Sequence, residues 1–461
     1  MRHHGGHSSG PWGVIMKTPI YDFVRGYARS DALRLHMPGH KGTDFLGVES
    51  LDITEIDGAD SLYEAGGIIR KSEANASELF GSETFYSTEG SSQCIRAMLY
   101  LTLLYAGQVG KKPMIAAARN AHKTFLGAVA LLDLDVMWLY PEKPDSYLSC
   151  KLEAEALDKT LSEAAEKPVA VYLTSPDYLG NVADVPGLAK VCHRHKVLLL
   201  VDNAHGAYLR FLPKSRHPLD LGADICCDSA HKTFPVLTGG AYLHIAKDAP
   251  GIFSEHAKNA LALFGTTSPS YLILQSLDLA NAYLANGYSK RLADFVLKME
   301  KLKDRLTEHG YCLQGNEPLK ITLRTKPYGY DGREYEKLLL KKGLVCEFAD
   351  PDLVVMMLTP ETGEEGLKRL EEALLSVPTR NVNLEQAPAF HSCERVMSVR
   401  EAMFSRCEIV SVEESIGRVL AAPSVGCPPA VPIVVCGERI DEAAAAEFSY
   451  YGIEKCVVVI N

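Results

Sequence analysis

Nowhere does the chain carry an apolar run near the roughly 20 residues that span a bilayer, and it contains no C-x-x-C pair. The first absence argues against a membrane-crossing helix and for no membrane partner. The second argues against a zinc ribbon or a redox dithiol. Twelve cysteines are scattered singly apart from Cys226-Cys227. In a chain this long they read as reduced thiols, which predicts a cytoplasmic protein with no disulfide framework and no bound metal. Positive charge is also in deficit, 48 lysines and arginines against 58 acidic residues for a net charge of −10. That balance disfavours a nucleic-acid partner and is compatible with a cationic small substrate. Residues 1–15 are rich in Gly, His and Ser and lack both the apolar core and the cleavage motif of a secretory signal. They are set aside from the fold as a tag-like or disordered leader. What remains is ordinary for a soluble globular protein of about three domains: 461 residues, 47% hydrophobic and 23% charged.

From about Asp44 to Gly251 helical patterns alternate with short apolar runs. Ile95, Leu99 and Leu103 share one helical face behind a Gly-Ser-Ser loop, and the runs 114–118, 136–139, 169–173 and 197–201 read as buried strands. Strands and helices at this spacing imply a parallel sheet with right-handed crossovers, which places ligands at the C-terminal strand ends. Residues 278–309 read as one long helix bridging to a smaller α/β domain, whose strands are 319–323 and 353–358. Thr362 with Glu365 reads as a capping box, and Leu367, Leu370 and Leu374 give the following helix its buried face. A polar linker, 379–388, precedes a last module in which Pro428-Pro429-Ala430-Val431-Pro432 is too proline-rich for a central strand. The expected units are the leader 1–15, an N-terminal arm with a large domain over 16–300, a small domain over 301–378 and a C-terminal module over 379–461.

The chemistry centres on Lys232, in Asp228-Ser229-Ala230-His231-Lys232-Thr233. Thirty residues upstream an apolar run breaks at Asp202 and continues Asn203-Ala204-His205-Gly206. A His-Lys pair alone is ordinary surface, and an Asp after a strand is often a helix cap. Together, separated by a second short strand, they are what pyridoxal phosphate requires. The lysine amine forms a Schiff base, and the carboxylate keeps the pyridine nitrogen protonated so that the ring accepts electrons. Thr88-Glu89-Gly90-Ser91-Ser92 stands directly before a helix, either as a phosphate cradle or as a simple cap with a turn glycine. His122, in Arg119-Asn120-Ala121-His122-Lys123, is placed either to stack on the ring or to be a surface histidine. The run Thr174-Ser175-Pro176-Asp177-Tyr178-Leu179-Gly180 either walls the pocket or is a turn, and Ser229 is within reach of the phosphate.

These residues resemble the Orn/Lys/Arg decarboxylases, pyridoxal-phosphate enzymes of the aspartate-aminotransferase-like fold. The resemblance is carried in order by Met37-Pro38-Gly39-His40-Lys41-Gly42, Asp52-Ile53-Thr54-Glu55, Gly90-Ser91-Ser92, Arg119 to Lys123, Val201 to Gly206 and Ser229 to Thr233. It continues through Thr266-Thr267-Ser268-Pro269-Ser270-Tyr271 and, in the last module, Pro428 to Pro432 with Cys436-Gly437-Glu438. It implies a large domain with a mainly parallel sheet, a small α/β domain and a C-terminal α+β module, in the short form without an N-terminal wing domain.

The resemblance also implies roles. Lys232 would be the Schiff-base lysine and Asp202 the partner of the ring nitrogen. His122 would stack on the ring, with Ala204 and His205 beside it, while Gly90, Ser91, Ser92, Ser229 and His231 surround the phosphate and the lysine linkage. Thr266 and Thr267 would reach the phosphate of a neighbouring subunit, making a homodimer or higher homo-oligomer with shared sites obligatory. Three positions depart from the family: Glu89 where Asn is usual, Asn203 where Glu is common and Gly239 where Gln is common. The expected reaction is loss of CO₂ from lysine, arginine or ornithine, giving a diamine or agmatine for polyamine biosynthesis, with His231 or Lys232 returning the proton. Glu438 is the candidate for the substrate's distal cation, against its reading as a solvated turn residue. Competing readings are an aminotransferase, with Arg324 gripping the α-carboxylate, another lyase on the same fold, and a catalytically silent regulatory subunit.

Overall fold

In the computed structural model the described residues are 16–143, 146–424 and 429–460; the leader and Pro428 lie outside them. The apolar runs form the strands of one seven-stranded sheet. Its members are β1 (Glu83–Ser87), β2 (Met114–Ala118), β3 (Asp135–Leu139), β4 (Ala170–Thr174), β5 (Leu198–Asp202), β6 (Ile225–Asp228) and β7 (Ala241–Ile245). They lie in the order β1-β7-β6-β5-β4-β2-β3. Pairing is parallel from β6 through β3, and β7 runs antiparallel to both β1 and β6. The mainly parallel sheet expected from the alternation is therefore present. Strands β2 and β5 are buried throughout, as helices on both faces of a parallel sheet require.

Register does the positioning. Thr174 pairs with Asp202, and Asp202 with Cys227, so the polar residues ending β4, β5 and β6 meet along one edge of the sheet. That edge is where the chain turns into the next helices, and crevices form there in this class of fold.

The long helix expected over 278–309 is two helices, Tyr271–Ala285 and Tyr288–Glu308. The break falls at Asn286-Gly287, where Gly287 takes φ +70°, a left-handed conformation that glycine adopts without the Cβ penalty. Helix Tyr288–Glu308 leads to a four-stranded antiparallel sheet of β8 (Cys312–Gln314), β9 (Lys320–Arg324), β10 (Phe348–Ala349) and β11 (Leu353–Met357), ordered β10-β11-β9-β8. The capping box lies three residues earlier than its sequence signature: Thr359 pairs reciprocally with Thr362 around a short 3₁₀ turn. Thr362 is thus engaged upstream and makes no side-chain cap for the helix Gly363–Leu375. Leu367, Leu370 and Leu374 are buried as expected.

The last module pairs β12 (Cys407–Ser411) with β13 (Lys455–Val459). It docks on the large domain through Arg119, just past the end of β2. Arg119 donates to the carbonyls of Pro432 at 2.9 Å and Ile433 at 2.7 Å, while Lys123 N donates to the Ala430 carbonyl at 2.8 Å. Residues 429–432 form no strand. Among the described residues no helix is long and apolar enough to cross a membrane.

Candidate active site

At the polar edge of the sheet lies a cavity of about 520 Å³, and Lys232 is in its wall. The lysine sits on a single helical turn, Ala230–Thr233, that follows β6 directly. Its Nζ lies 3.0 Å from Nε2 of His205. Burial pushes its pKa down, against the opposing pull of the Asp202 carboxylate. Asp202, at the end of β5, lines the same cavity. Its oxygens accept from Tyr172 Oη at 3.2 Å, Ala204 N at 3.2 Å and Cys227 Sγ at 3.7 Å, which aims the carboxylate. Burial pushes its pKa up, with Lys232 pulling it back.

The helix Gly90–Gln108 opens onto the cavity, with Gly90, Ser91 and Ser92 in its wall. The first amides of a helix have no internal acceptor, so an anion there is stabilised by both hydrogen bonds and the helix dipole. Ser229 Oγ lies 2.8 Å from Ser91 Oγ and Ser92 Oγ lies 3.2 Å from Thr124 Oγ1, so three elements supply hydroxyls around this terminus. Gly239 closes in from β7's side: its carbonyl accepts from Gly90 N at 2.7 Å. A Cβ at Gly239 would stand 2.7 Å from the Thr88 carbonyl oxygen, at φ +101°. The glycine at this position thus allows the β7 loop to touch the turn at Gly90.

Two imidazoles complete the wall. His122 caps the helix Lys123–Leu132, its Nδ1 accepting from Thr124 N at 3.1 Å. Burial first, then Lys232, Lys123 and Arg96, lower its pKa to about 4, so it presents a neutral ring. His231 places Nδ1 2.9 Å from the Gly240 carbonyl. A carbonyl only accepts, so Nδ1 carries the proton and Nε2 keeps its lone pair.

The structure thus brings Gly90, Ser91, Ser92, His122, Asp202, Ala204, His205, Ser229, His231 and Lys232 around one cavity. Thr266 and Thr267 are not in its wall. They lie exposed on the loop before the helix Tyr271–Ala285, where Thr266 N donates to Glu89 Oε1 at 2.5 Å. Glu89 therefore directs one carboxylate oxygen toward that loop. Glu438 is likewise outside the wall. It is buried against Arg119 at 3.5 Å and accepts from Val435 N at 2.8 Å. Arg324 lines a different cavity with Asp350 and Asp352.

Three charged residues near the site carried no signal in the sequence. Glu347, just before β10, accepts from Tyr178 Oη at 2.8 Å, and its charge reaches Lys232. Lys320 on β9 reaches Nδ1 of His205 at 3.3 Å and pairs with Glu317 at 3.1 Å. All three lie in or beside the four-stranded sheet, more than 80 residues from Lys232, and only tertiary folding brings them there.

Comparison with known proteins agrees with this arrangement. Residues 18–325 match the Orn/Lys/Arg decarboxylase major domain and residues 385–455 the C-terminal domain of the same family. This chain belongs to the Orn/Lys/Arg decarboxylase family. It is 29% identical over 461 residues to the uncharacterized protein YaaO of Bacillus subtilis, covering 94% of each chain. It is 28% identical over 464 residues to an arginine decarboxylase of the same organism, covering 92% of each. The fold is that of the Francisella novicida lysine decarboxylase LdcF, with a TM-score of 0.79 at 16% identity, over 96% of this chain and 81% of that one. Family membership carries the reaction class: the chain is a carboxy-lyase acting on a basic amino acid.

Proposed function

We propose that the decarboxylation uses pyridoxal phosphate held by Lys232, and that arginine is the first substrate to test. The observation that supports this most is the convergence of three groups on one cavity: a buried amine, a buried carboxylate at the neighbouring strand end, and an open helix N-terminus. These fit the aldehyde, ring nitrogen and phosphate of that cofactor. Gly90, Ser91, Ser92 and Ser229 would take the phosphate, Asp202 a protonated ring nitrogen and His122 the ring face. When bound, the cofactor supplies a sink for the electron pair left behind by CO₂.

The chain's own residues do the rest. Asp202 is aimed by three donors and holds a proton on the atom facing it. His231 Nε2, with its lone pair free, is the atom placed to receive and return a proton. Glu347 is exposed and set by Tyr178, and we assign it the substrate's distal cation in place of Glu438, whose carboxylate is engaged by Arg119. The choice of arginine rests on the relatives named arginine decarboxylase at 26–28% identity in four Bacillus and Halalkalibacterium proteins. The aminotransferase reading loses its residue, since Arg324 opens to another cavity.

A second copy of the chain would complete the site. The arm between residues 29 and 48 exposes Leu33 (81%), Leu35 (84%), Phe45 (76%) and Leu46 (85%), a patch of the kind that marks an interface. Thr266 and Thr267, exposed and outside the wall of this chain's cavity, would then serve the partner's.

The deciding experiment is release of amine and CO₂ by the cofactor-loaded protein offered arginine, lysine or ornithine, with Lys232→Ala as blank. Product from one substrate, absent in the variant, establishes the assignment. A lysine-dependent cofactor band with no CO₂ from any of the three would refute it.

A further inference from the structure

Lys320 is 3% exposed and lies behind the cavity, outside its wall. Its Nζ pairs with Glu317 Oε2 at 3.1 Å, approaches the adjacent carbonyls of Asp177 at 3.3 Å and Tyr178 at 3.4 Å, and reaches His205 Nδ1 at 3.3 Å. Glu317 is anchored in turn by Tyr208 Oη at 3.2 Å. An ammonium has three N–H donors and no acceptor. At this contact His205 Nδ1 must therefore accept, and a neutral imidazole that accepts at Nδ1 carries its proton on Nε2. Nε2 is the atom 3.0 Å from Lys232 Nζ. With its proton there, His205 donates, and the amine of Lys232 receives the bond on its lone pair.

We propose that Lys320 is a positioning residue that acts through His205: it fixes the imidazole tautomer and thereby holds Lys232 as a free amine. This rests on the cofactor reading above. Capture of pyridoxal phosphate requires that lone pair. The amine nitrogen bonds to the aldehyde carbon, the C=O bond gives way to C=N, and the aldehyde oxygen leaves as water with the two amine protons. An ammonium has no pair to donate.

The surroundings agree. Lys232 is faced by Asp202, Glu347 and Cys227, whose negative forms favour the ammonium, and by Lys320, which opposes it; burial outweighs them all. Burial first holds His205 neutral, and positive charge on any group that faces it, Lys232, Lys320, His122 or His231, would oppose its protonation further. The Tyr178 ring packs edge-on against His205 at 5.4 Å, so the imidazole is clamped between an aromatic edge and two amines.

The test measures the rate of pyridoxal phosphate capture by cofactor-free full-length protein, followed by its visible absorbance across pH. Lys320→Met is combined with Glu317→Gln so that no buried charge is left alone, and Lys320→Arg retains the cation. The midpoint for capture is expected to rise by about one pH unit or more in the double variant, because the His205 Nε2–H bond that favours the neutral amine is lost, and to stay near wild type in Lys320→Arg. A folded double variant whose melting temperature falls while its midpoint stays put overturns the relay and leaves the cofactor reading intact. A wild type that captures no cofactor at any pH overturns both. ¹⁵N resonances of the histidine rings in cofactor-free protein, assigned by their loss in His205→Gln, give a readout without cofactor. Protonated Nε2 with bare Nδ1 supports the relay, and the reverse tautomer overturns it.

Discussion

Asn203 donates its amide to Oδ1 of Asp228 at 2.6 Å, and this bond ties the end of β5 to the end of β6 one residue away from Asp202 and from Ser229. Oδ2 of Asp228 lies 3.1 Å from Nε2 of both His217 and His244, and none of the three side chains is exposed. The family's usual Glu at position 203 is thus absent, and the carboxylate sits on the neighbouring strand. Although His217, Asp228 and His244 are spaced as metal ligands could be, each facing atom is already used in a hydrogen bond. Burial alone would raise the pKa of Asp228, but the two imidazoles outweigh it and hold the carboxyl well below its usual range. Asp228→Asn is expected to cost about 1–3 kcal/mol of unfolding free energy, the cost of unsettling buried hydrogen bonds, and to weaken cofactor binding, measured by urea denaturation and cofactor titration.

Acid should destabilise the cofactor-free protein, and His122 sets the window. Its folded pKa is lowered to about 4, mainly by burial. The unfolded chain therefore takes up a proton below about pH 6.5 that the folded chain refuses. Stability is full above that value and declines as pH falls toward 4, by roughly 3 kcal/mol for this group. Asp228 acts in the same direction at lower pH, since a depressed carboxyl gives up its contribution only as it is protonated. Denaturation midpoints across this range should flatten in His122→Gln. An unchanged slope would show that the imidazole titrates normally in the fold.

Gly239→Gln, which restores the family's common residue, is predicted to damage this chain. The new Cβ would meet the Thr88 carbonyl at 2.7 Å in a left-handed backbone. Strain of this kind costs on the order of 1–3 kcal/mol, and relief requires the loop to withdraw from Gly90. The expected outcome is a folded protein with weaker cofactor binding and a reduced melting temperature. Binding equal to wild type would mean the loop relaxes without disturbing the anion site.

Glu347 and Glu438 should separate cleanly on substitution. Glu347→Gln removes an exposed carboxylate near the cavity, and a lost hydrogen bond to a charged group is worth about 1.5–3 kcal/mol. KM for the basic amino acid should rise about tenfold or more, with the cofactor spectrum intact. Glu438→Gln leaves Arg119 buried without its counter-ion, a change that costs about 3–5 kcal/mol. Its expected effect is on thermal stability and on docking of the last module, with KM little changed. The opposite pattern would return the substrate role to Glu438.

How much of this was legible depended on whether the signal was local. Strands β2, β4 and β5 announce themselves because both faces are buried and their runs are apolar up to the last residue. Strand β7, Ala-Tyr-Leu-His-Ile behind two glycines, carries a histidine that is buried only because Asp228 and Thr84 receive it, and no window reveals that. Asp202 and Lys232 were readable as a spaced pair. Lys320 was visible only as a strand residue, because His205 and Asp177, which it reaches, lie 115 and 143 positions away. The helix break at Gly287 was hidden by apolar periodicity continuing on both sides.

The exposed arm bears on whether the site is whole in one chain. Leu33, Leu35, Phe45 and Leu46 expose most of their surface, and apolar side chains clustered in one segment of a soluble chain are normally covered by a partner. The coverage expected is a second copy. Light scattering should give twice the chain mass at micromolar concentration. Leu35→Asp with Phe45→Asp should yield monomers, because a buried uncompensated carboxylate is costly. If Thr266 and Thr267 serve the partner's phosphate, those monomers should fold, keep their secondary structure and bind the cofactor weakly. Mixing them with Lys232→Ala chains offers a sharper comparison, because only mixed dimers could restore a complete site. Monomers that retain full cofactor affinity would show that one chain holds the phosphate alone and that the two threonines have another use.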